Sequence, residues 1–168
     1  MKRIYLAGGC FWGTQHYMKQ ITGVTHTEAG YANGETEDPI YEEVYTDTTG
    51  YAETVLVEYD PQKVSLEYIL QLYFRSIDPT LLNRQGADVG TRYRTGIYYV
   101  DEEDLTTINA VYDRTSQAYD KPLVVEVEKL RNYYPAEDYH QDYLEKRPGG
   151  YCHIPRSLIE EVRRQNRQ

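Results

Sequence analysis

Cys10 is the residue with the most chemistry to offer. It follows a short apolar run, Ile4-Tyr5-Leu6-Ala7, that ends at Gly8-Gly9, and it precedes Phe11, Thr14, Met18 and Ile21, which recur at helical spacing. The spacing predicts a buried strand, a tight turn and a helix opening at Cys10, with Gly23 as its C-terminal stop. A thiol at a helix N-terminus meets unpaired backbone N–H groups and the positive end of the helix dipole, both of which favour the thiolate. The expectation is therefore a lowered pKa and a soft nucleophile. Gly8, Gly9 and Gly13 leave the sulfur approachable, and Phe11-Trp12 put two large rings beside it, which suits an apolar ligand. Considered alone, such a cysteine is more often a small space-filler at a strand-to-helix turn.

Two other residues can enlarge the set. In Glu53-Thr54-Val55-Leu56-Val57-Glu58-Tyr59, positions 53, 55, 57 and 59 share one face of a strand, so the Glu53 carboxyl lies beside apolar side chains. Burial there raises a carboxyl pKa towards neutrality, the range of a general acid, although an exposed strand carboxylate is the simpler reading. Cys152, the second of two cysteines, sits in Pro148-Gly149-Gly150-Tyr151-Cys152-His153, glycine-rich enough for the segment to swing. The four histidines and two cysteines contain no Cys-x-x-Cys or His-x-x-x-His pair, so no metal site is expected and His140 is read as a structural hydrogen-bonding group.

The elements that must position these residues follow from periodicity. Val24–Tyr31 reads as a strand, and residues 32–39 as an irregular loop. Leu66, Ile69, Leu70, Tyr73, Phe74 and Ile77 mark an amphipathic helix over Ser65–Ile77, stopped by Asp78-Pro79. A second long irregular segment, Thr80–Arg94, leads to a strand at Gly96–Val100, a helix over Glu102–Tyr119 and a strand at Leu123–Glu128. This order predicts an α+β fold, a two-layer α/β sandwich around a mixed sheet with a ferredoxin-like core. Residues 1–168 read as one catalytic domain, with 154–168 as an arginine-rich, helical tail.

Composition limits the functions available. The net charge of −9 argues against nucleic acid as a partner, since tracking phosphates takes clustered Lys and Arg. No apolar stretch near the N-terminus approaches the roughly 18 residues a membrane span needs, and Ile4–Ala7 is too short for a signal h-region. The cytoplasm is expected, and with it free thiols. Nineteen tyrosines against two phenylalanines and one tryptophan mean that phenol rings must build much of the core and of any pocket.

Across residues 4 to about 153 the chain resembles the type A peptide methionine sulfoxide reductases. The resemblance rests on Gly9-Cys10-Phe11-Trp12-Gly13, Gly30-Tyr31, Pro39-Ile40-Tyr41, Thr49-Gly50-Tyr51-Ala52-Glu53, Asp78-Pro79-Thr80, the run from Asn83 to Arg94, and Ala136-Glu137-Asp138-Tyr139-His140-Gln141. It departs from the family pattern at Tyr51, Ile77 and Thr14-Gln15. The resemblance implies that Cys10 attacks the sulfoxide sulfur, Glu53 protonates the oxygen, Tyr41 and Tyr93 hold that oxygen, and Asp88 orients the polar network. It further implies that Phe11 and Trp12 hold the S-methyl group, and that Cys152 resolves a Cys10 sulfenic acid to a disulfide. The implied substrate is methionine S-sulfoxide, free and in proteins; no cofactor is bound, and the electrons come from thioredoxin. Two other readings remain open at this point: a Cys-His hydrolase or transferase pairing Cys10 with His140 or His153, and a non-catalytic tyrosine-rich peptide-binding module.

Overall fold

The computed structural model describes residues 1–165. Its centre is a six-stranded sheet assembled from β1 (Lys2–Gly8), β2 (Val24–Ala32), β3 (Ala52–Tyr59), β6 (Thr95–Tyr99), β7 (Glu126–Lys129) and β8 (Tyr133–Pro135), in the order β7-β6-β1-β3-β2-β8. The four inner strands are antiparallel to one another, and β7 joins β6 in parallel, so the sheet is mixed. With α1 (Phe11–Lys19) between β1 and β2 and α3 (Leu66–Arg75) between β3 and β6, the inner four strands have the βαββαβ connectivity and strand order of a ferredoxin-like core. The expected fold class holds.

Alternation along β1 explains why both faces of the sheet are covered. Ile4 and Leu6 point to the helical layer, where they meet Val55, Val57, Tyr17, Met18, Ile69 and Tyr73. Tyr5 and Ala7 point the other way, into a smaller cluster with Ala32, Ala52, Leu56 and Tyr98. The best-patterned helix is α3: Ser65 caps it, its hydroxyl accepting the Tyr68 N–H at 3.1 Å, and Leu66, Ile69, Leu70, Tyr73 and Phe74 are buried. α4 (Leu105–Ser116), preceded by a 3₁₀ turn over Glu102–Asp104, carries the chain back so that β7 can lie parallel to β6.

Several boundaries differ from the sequence reading, each for a local reason. α1 ends at Lys19 rather than at Gly23; Gly23 lies beyond a further turn at φ 99°, where a Cβ would come within 2.6 Å of Val64. The segment 80–94 is not wholly irregular: β4 (Arg84–Gln85) and β5 (Asp88–Val89) form a small hairpin, followed by a 3₁₀ turn at Thr91–Tyr93. Gln85 ties that hairpin down by accepting the Asp78 N–H at 2.9 Å and donating to the Asp78 carbonyl at 2.8 Å. β8 escapes the pattern because it is three residues, Tyr133-Tyr134-Pro135, on the sheet edge beside β2. α2 (Tyr41–Tyr45) and α5 (Tyr143–Lys146) are too short for any helical period to register.

The tail forms α6 (Arg156–Gln165), which buries Ile159 and Val162 and joins α3 through an Arg75–Glu161 ion pair of 2.8 Å. Residues 166–168 of the expected tail lie outside the described residues. The three departures from the family pattern sit in packing: Tyr51, Ile77, Thr14 and Gln15 are all buried, and Gln15 accepts the Asp142 N–H at 3.0 Å.

Tyr73 is the polar rivet of this core. Fully buried on α3, it donates to the Ala7 carbonyl at 2.6 Å and accepts the Gly96 N–H at 3.1 Å, joining β1 and β6 just behind the turn that leads to Cys10. Tyr73→Phe leaves those backbone groups short of a partner in a dry interior, so thermal or urea unfolding should show a loss of about 1–3 kcal/mol. An unchanged midpoint would mean that the hydroxyl contributes nothing to the join.

Candidate active site

The turn from β1 into α1 exposes four orphan N–H groups at the helix start, and Cys10 occupies its N-cap with φ −59° and ψ 126° and no side-chain cap bond of its own. The N–H groups of Trp12 and Gly13 act on the sulfur in the expected direction, favouring thiolate. They are outweighed. Burial of Cys10, followed by the nearby Glu53 carboxylate, pushes the thiol well above its ordinary range. The expected low-pKa thiolate is therefore corrected: Cys10, only 7% exposed, rests as a protonated thiol.

Glu53 reaches this turn from β3, where it lies opposite Tyr31 of β2. It is 2% exposed, and its Oε1 accepts the Phe11 N–H at 3.2 Å. Burial pushes its carboxyl up to about 8, while the Phe11 N–H and Arg92 pull down and Asp88 and Asp47 push up. At neutral pH Glu53 is mostly protonated, which also removes much of the repulsion that raises Cys10.

Two phenols converge on the pair. Tyr93, in the 3₁₀ turn, is 7% exposed, and burial first and the Glu53 charge second raise its pKa. Tyr41 opens α2, half-buried, with its phenol pushed up to about 12 by burial, then Glu53, then Cys10. Both stay neutral donors throughout the working range. Arg92, which the sequence reading did not single out, holds this corner: its guanidinium pairs with Asp47 at 2.5 Å and lies 4.3 Å from the ring centroids of both Tyr45 and Tyr93. Its only sequence signal is membership of the Asn83–Arg94 run.

The aromatic residues after Cys10 divide the work of the wall. Phe11 is 1% exposed, its ring 5.8 Å from Tyr31 and 5.1 Å from His140. Trp12 remains half-buried, stacked on Tyr143 at 3.8 Å and 10°, and its indole N–H donates to His140 Nδ1 at 3.0 Å. His140 thus does make the structural hydrogen bond expected of it, and the bond fixes its neutral tautomer with the proton on Nε2. Its ring also stands 4.5 Å from that of Tyr41, whose backbone N–H donates to Glu137 at 3.1 Å. Glu137 and Tyr143 were not foreseen as neighbours of the site; Tyr143 carries no signal beyond being one tyrosine among many.

Asp88 of β5 acts electrostatically on Cys10, Glu53 and the Tyr151 hydroxyl, and one of its carboxylate oxygens is buried without a partner. Cys152 lies on the segment after Gly149-Gly150, half-buried, its thiol donating to the Ile154 carbonyl at 3.4 Å and pushed up in pKa by burial. It packs on Gly13: a Cβ added there would stand 3.1 Å from its sulfur. Both thiols are free. A cavity of about 530 Å³ is lined by Cys152, Leu144 and Ile159. Neither histidine considered for a Cys-His pair bonds Cys10, since His140 accepts from Trp12 and His153 Nε2 binds the Gly8 carbonyl. Among the described residues no group of three or more His, Cys, Asp and Glu is placed to hold a metal ion, and no helix is long and apolar enough to cross a membrane.

Comparison with known proteins shows the family. The family model described as peptide methionine sulfoxide reductase matches residues 2–168. The peptide methionine sulfoxide reductase MsrA of Clostridium acetobutylicum is 57% identical over 159 residues, covering 95% of this chain and 98% of the relative. Among solved structures, reduced Mxr1 from Saccharomyces cerevisiae superposes with a TM-score of 0.87 at 34% identity, covering 92% of this chain and 91% of that one. The same yeast protein in complex with Trx2 superposes with a TM-score of 0.61 at 25% identity, with 84% of each chain covered. The chain belongs to the peptide methionine sulfoxide reductase family.

Proposed function

We propose that this chain reduces methionine S-sulfoxide, free and in proteins, with Cys10 as nucleophile and Glu53 as general acid. The observation that carries the reading is a buried thiol and a buried carboxyl, the latter raised to about 8, meeting at one helix N-terminus through the Phe11 N–H. Oxide is a poor leaving group, so sulfur can be attacked only as the oxygen is protonated; an acid still protonated at pH 7 meets that need. Glu53 gives its proton to the sulfoxide oxygen and recovers one from the Cys10 thiol. The Cys10 sulfur bonds to the substrate sulfur, and the intermediate collapses to methionine and a Cys10 sulfenic acid. Tyr41 and Tyr93 steady the oxygen as neutral donors. Trp12 and Phe11 take the S-methyl group, and Asp88 orients the polar side.

Cys152 then displaces the sulfenic oxygen as water, leaving a Cys10–Cys152 disulfide. Thioredoxin returns the protein to the dithiol form by exchange. Crystallisation of a homologous yeast protein with Trx2 supports that donor, as does the open cavity flanking Cys152. No bound cofactor takes part, and the cytoplasm is the proposed setting.

Mutating each cysteine tests the scheme. Cys10→Ser should abolish reduction, because a serine hydroxyl is not ionised near neutrality and is a poor nucleophile for sulfur. Cys152→Ser should release one equivalent of methionine per protein without reductant, yield a dimedone adduct at Cys10, and lose thioredoxin-driven turnover. Full turnover by Cys152→Ser would remove the resolving assignment.

Glu53→Gln should slow single-turnover reduction by ~10² to 10⁴. In the parent, the rate should fall as the pH rises through about 8, where the acid loses its proton; that limb should be missing from the variant. Stability carries the same signature. Because the folded pKa is raised from 4.5, the folded state binds the extra proton, and the parent should lose stability relative to Glu53→Gln as the pH climbs from 4.5 to about 8. Parallel stability curves would show that Glu53 is not buried as a neutral acid.

A further inference from the structure

His153 is unused by the chemistry above, although it adjoins Cys152. Its Nε2 lies 2.6 Å from the carbonyl oxygen of Gly8 at the end of β1. A carbonyl oxygen only accepts, so Nε2 carries the hydrogen, and in the neutral ring Nδ1 keeps its lone pair. That Nδ1 is buried and has no hydrogen-bond partner. Burial holds the ring towards its neutral form, against the Gly8 carbonyl and the charge of Asp88, which favour protonation. The turn is shaped to admit this ring: a Cβ on Gly9 would stand 3.0 Å from Nε2, and one on Gly13 would stand 2.9 Å from Nδ1. The same point above Gly13 is 3.1 Å from Cys152 Sγ, so the unpartnered nitrogen and the thiol are no more than about 6 Å apart. Transfer of the proton requires the Cys152 side chain to turn from the Ile154 carbonyl towards that nitrogen.

We propose that His153 is the base of the resolving step, anchored through Nε2–H on the Gly8 carbonyl and taking the Cys152 thiol proton at Nδ1. The inference rests on the assignment of Cys152 as the resolving thiol. Cys152 needs such help, since burial keeps it protonated at neutral pH. The step balances within the protein. The thiol proton passes to Nδ1, the Cys152 sulfur bonds to the Cys10 sulfur, and the S–O bond of the sulfenic acid breaks with its electron pair on oxygen. That oxygen collects the proton from His153 and leaves as water, so Cys152 is oxidised, the Cys10 sulfur is reduced and the imidazole is regenerated. The titratable groups that face the ring are Asp88 from β5, which acts on it by charge, and Cys152 itself, across the point above Gly13.

The test follows two products after mixing the whole chain with methionine sulfoxide in the absence of reductant: methionine, and the Cys10–Cys152 disulfide by peptide mass mapping, with dimedone to trap sulfenic acid. In the parent, disulfide should keep pace with methionine. In His153→Ala, the rate of disulfide formation relative to methionine release should fall on the order of 10² at pH 7, with Cys10–dimedone accumulating. The lag should shrink about tenfold per pH unit as the pH is raised and thiolate forms without a base. His153→Gln, whose amide can replace the anchoring N–H but not the base, should lag in the same way. Disulfide keeping pace in His153→Ala, a lag cured by Gln at pH 7, or a lag indifferent to pH would each overturn the proposal. Methionine release without any disulfide in the parent would instead overturn the resolving assignment beneath it.

Discussion

The site depends on one buried hydrogen bond, from the Phe11 N–H to the Glu53 carboxyl. It brings a strand-borne acid to the head of the helix that carries the thiol, at a place where water cannot solvate either anion. Burial disfavours the charged form of both groups, and the Glu53 charge adds to the effect on Cys10, so the pair holds its protons at neutral pH. A helix terminus alone makes a standing thiolate. Enclosed with a carboxyl, the same terminus makes a thiol whose reactivity waits on a partner that can accept the carboxyl's proton.

The rest of the molecule supplies that enclosure. The ferredoxin-like core fixes where β1 stops and where β3 passes, and Tyr73 clamps β1 to β6 behind the turn. Later segments build the walls. The 80–94 segment brings Asp88, Arg92 and Tyr93, and the stretch after β8 brings Glu137, His140 and Tyr143 against Tyr41 and Trp12. Gly30 shows how close the fit is, since the Tyr133 ring occupies the space where a side chain would be. The chain's abundance of tyrosine fits this economy, because a phenol packs like a ring and still satisfies a carbonyl or carboxylate at its tip.

Elements with a strong period were legible in the residues: α3, whose apolar positions repeat over three turns, and β3, whose alternation put Glu53 on an inner face. The placement of Cys10 at a helix N-terminus was legible too, but its pKa was not, because burial is set by distant segments and local sequence reports only the dipole. β8 and α5 were missed because three or four residues carry no period. Arg92 and Tyr143 were missed as neighbours of the site because their partners, Asp47 and Trp12, lie 45 and 131 positions away. The resemblance brought Tyr41, Tyr93 and Asp88 forward from a chain in which a tyrosine is otherwise the commonest core filler.

The chain holds a single tryptophan, and it is Trp12, stacked on Tyr143 and hydrogen-bonded to a buried histidine next to the thiol. Indole emission depends on the polarity around the ring and on nearby quenching groups, among which sulfur and protonated imidazole are strong. Light excited selectively in the indole band therefore comes from one place only. The protein carries a built-in optical gauge of its own cleft, in which oxidation of Cys10, charging of His140 or displacement of Tyr143 can be read without any added label.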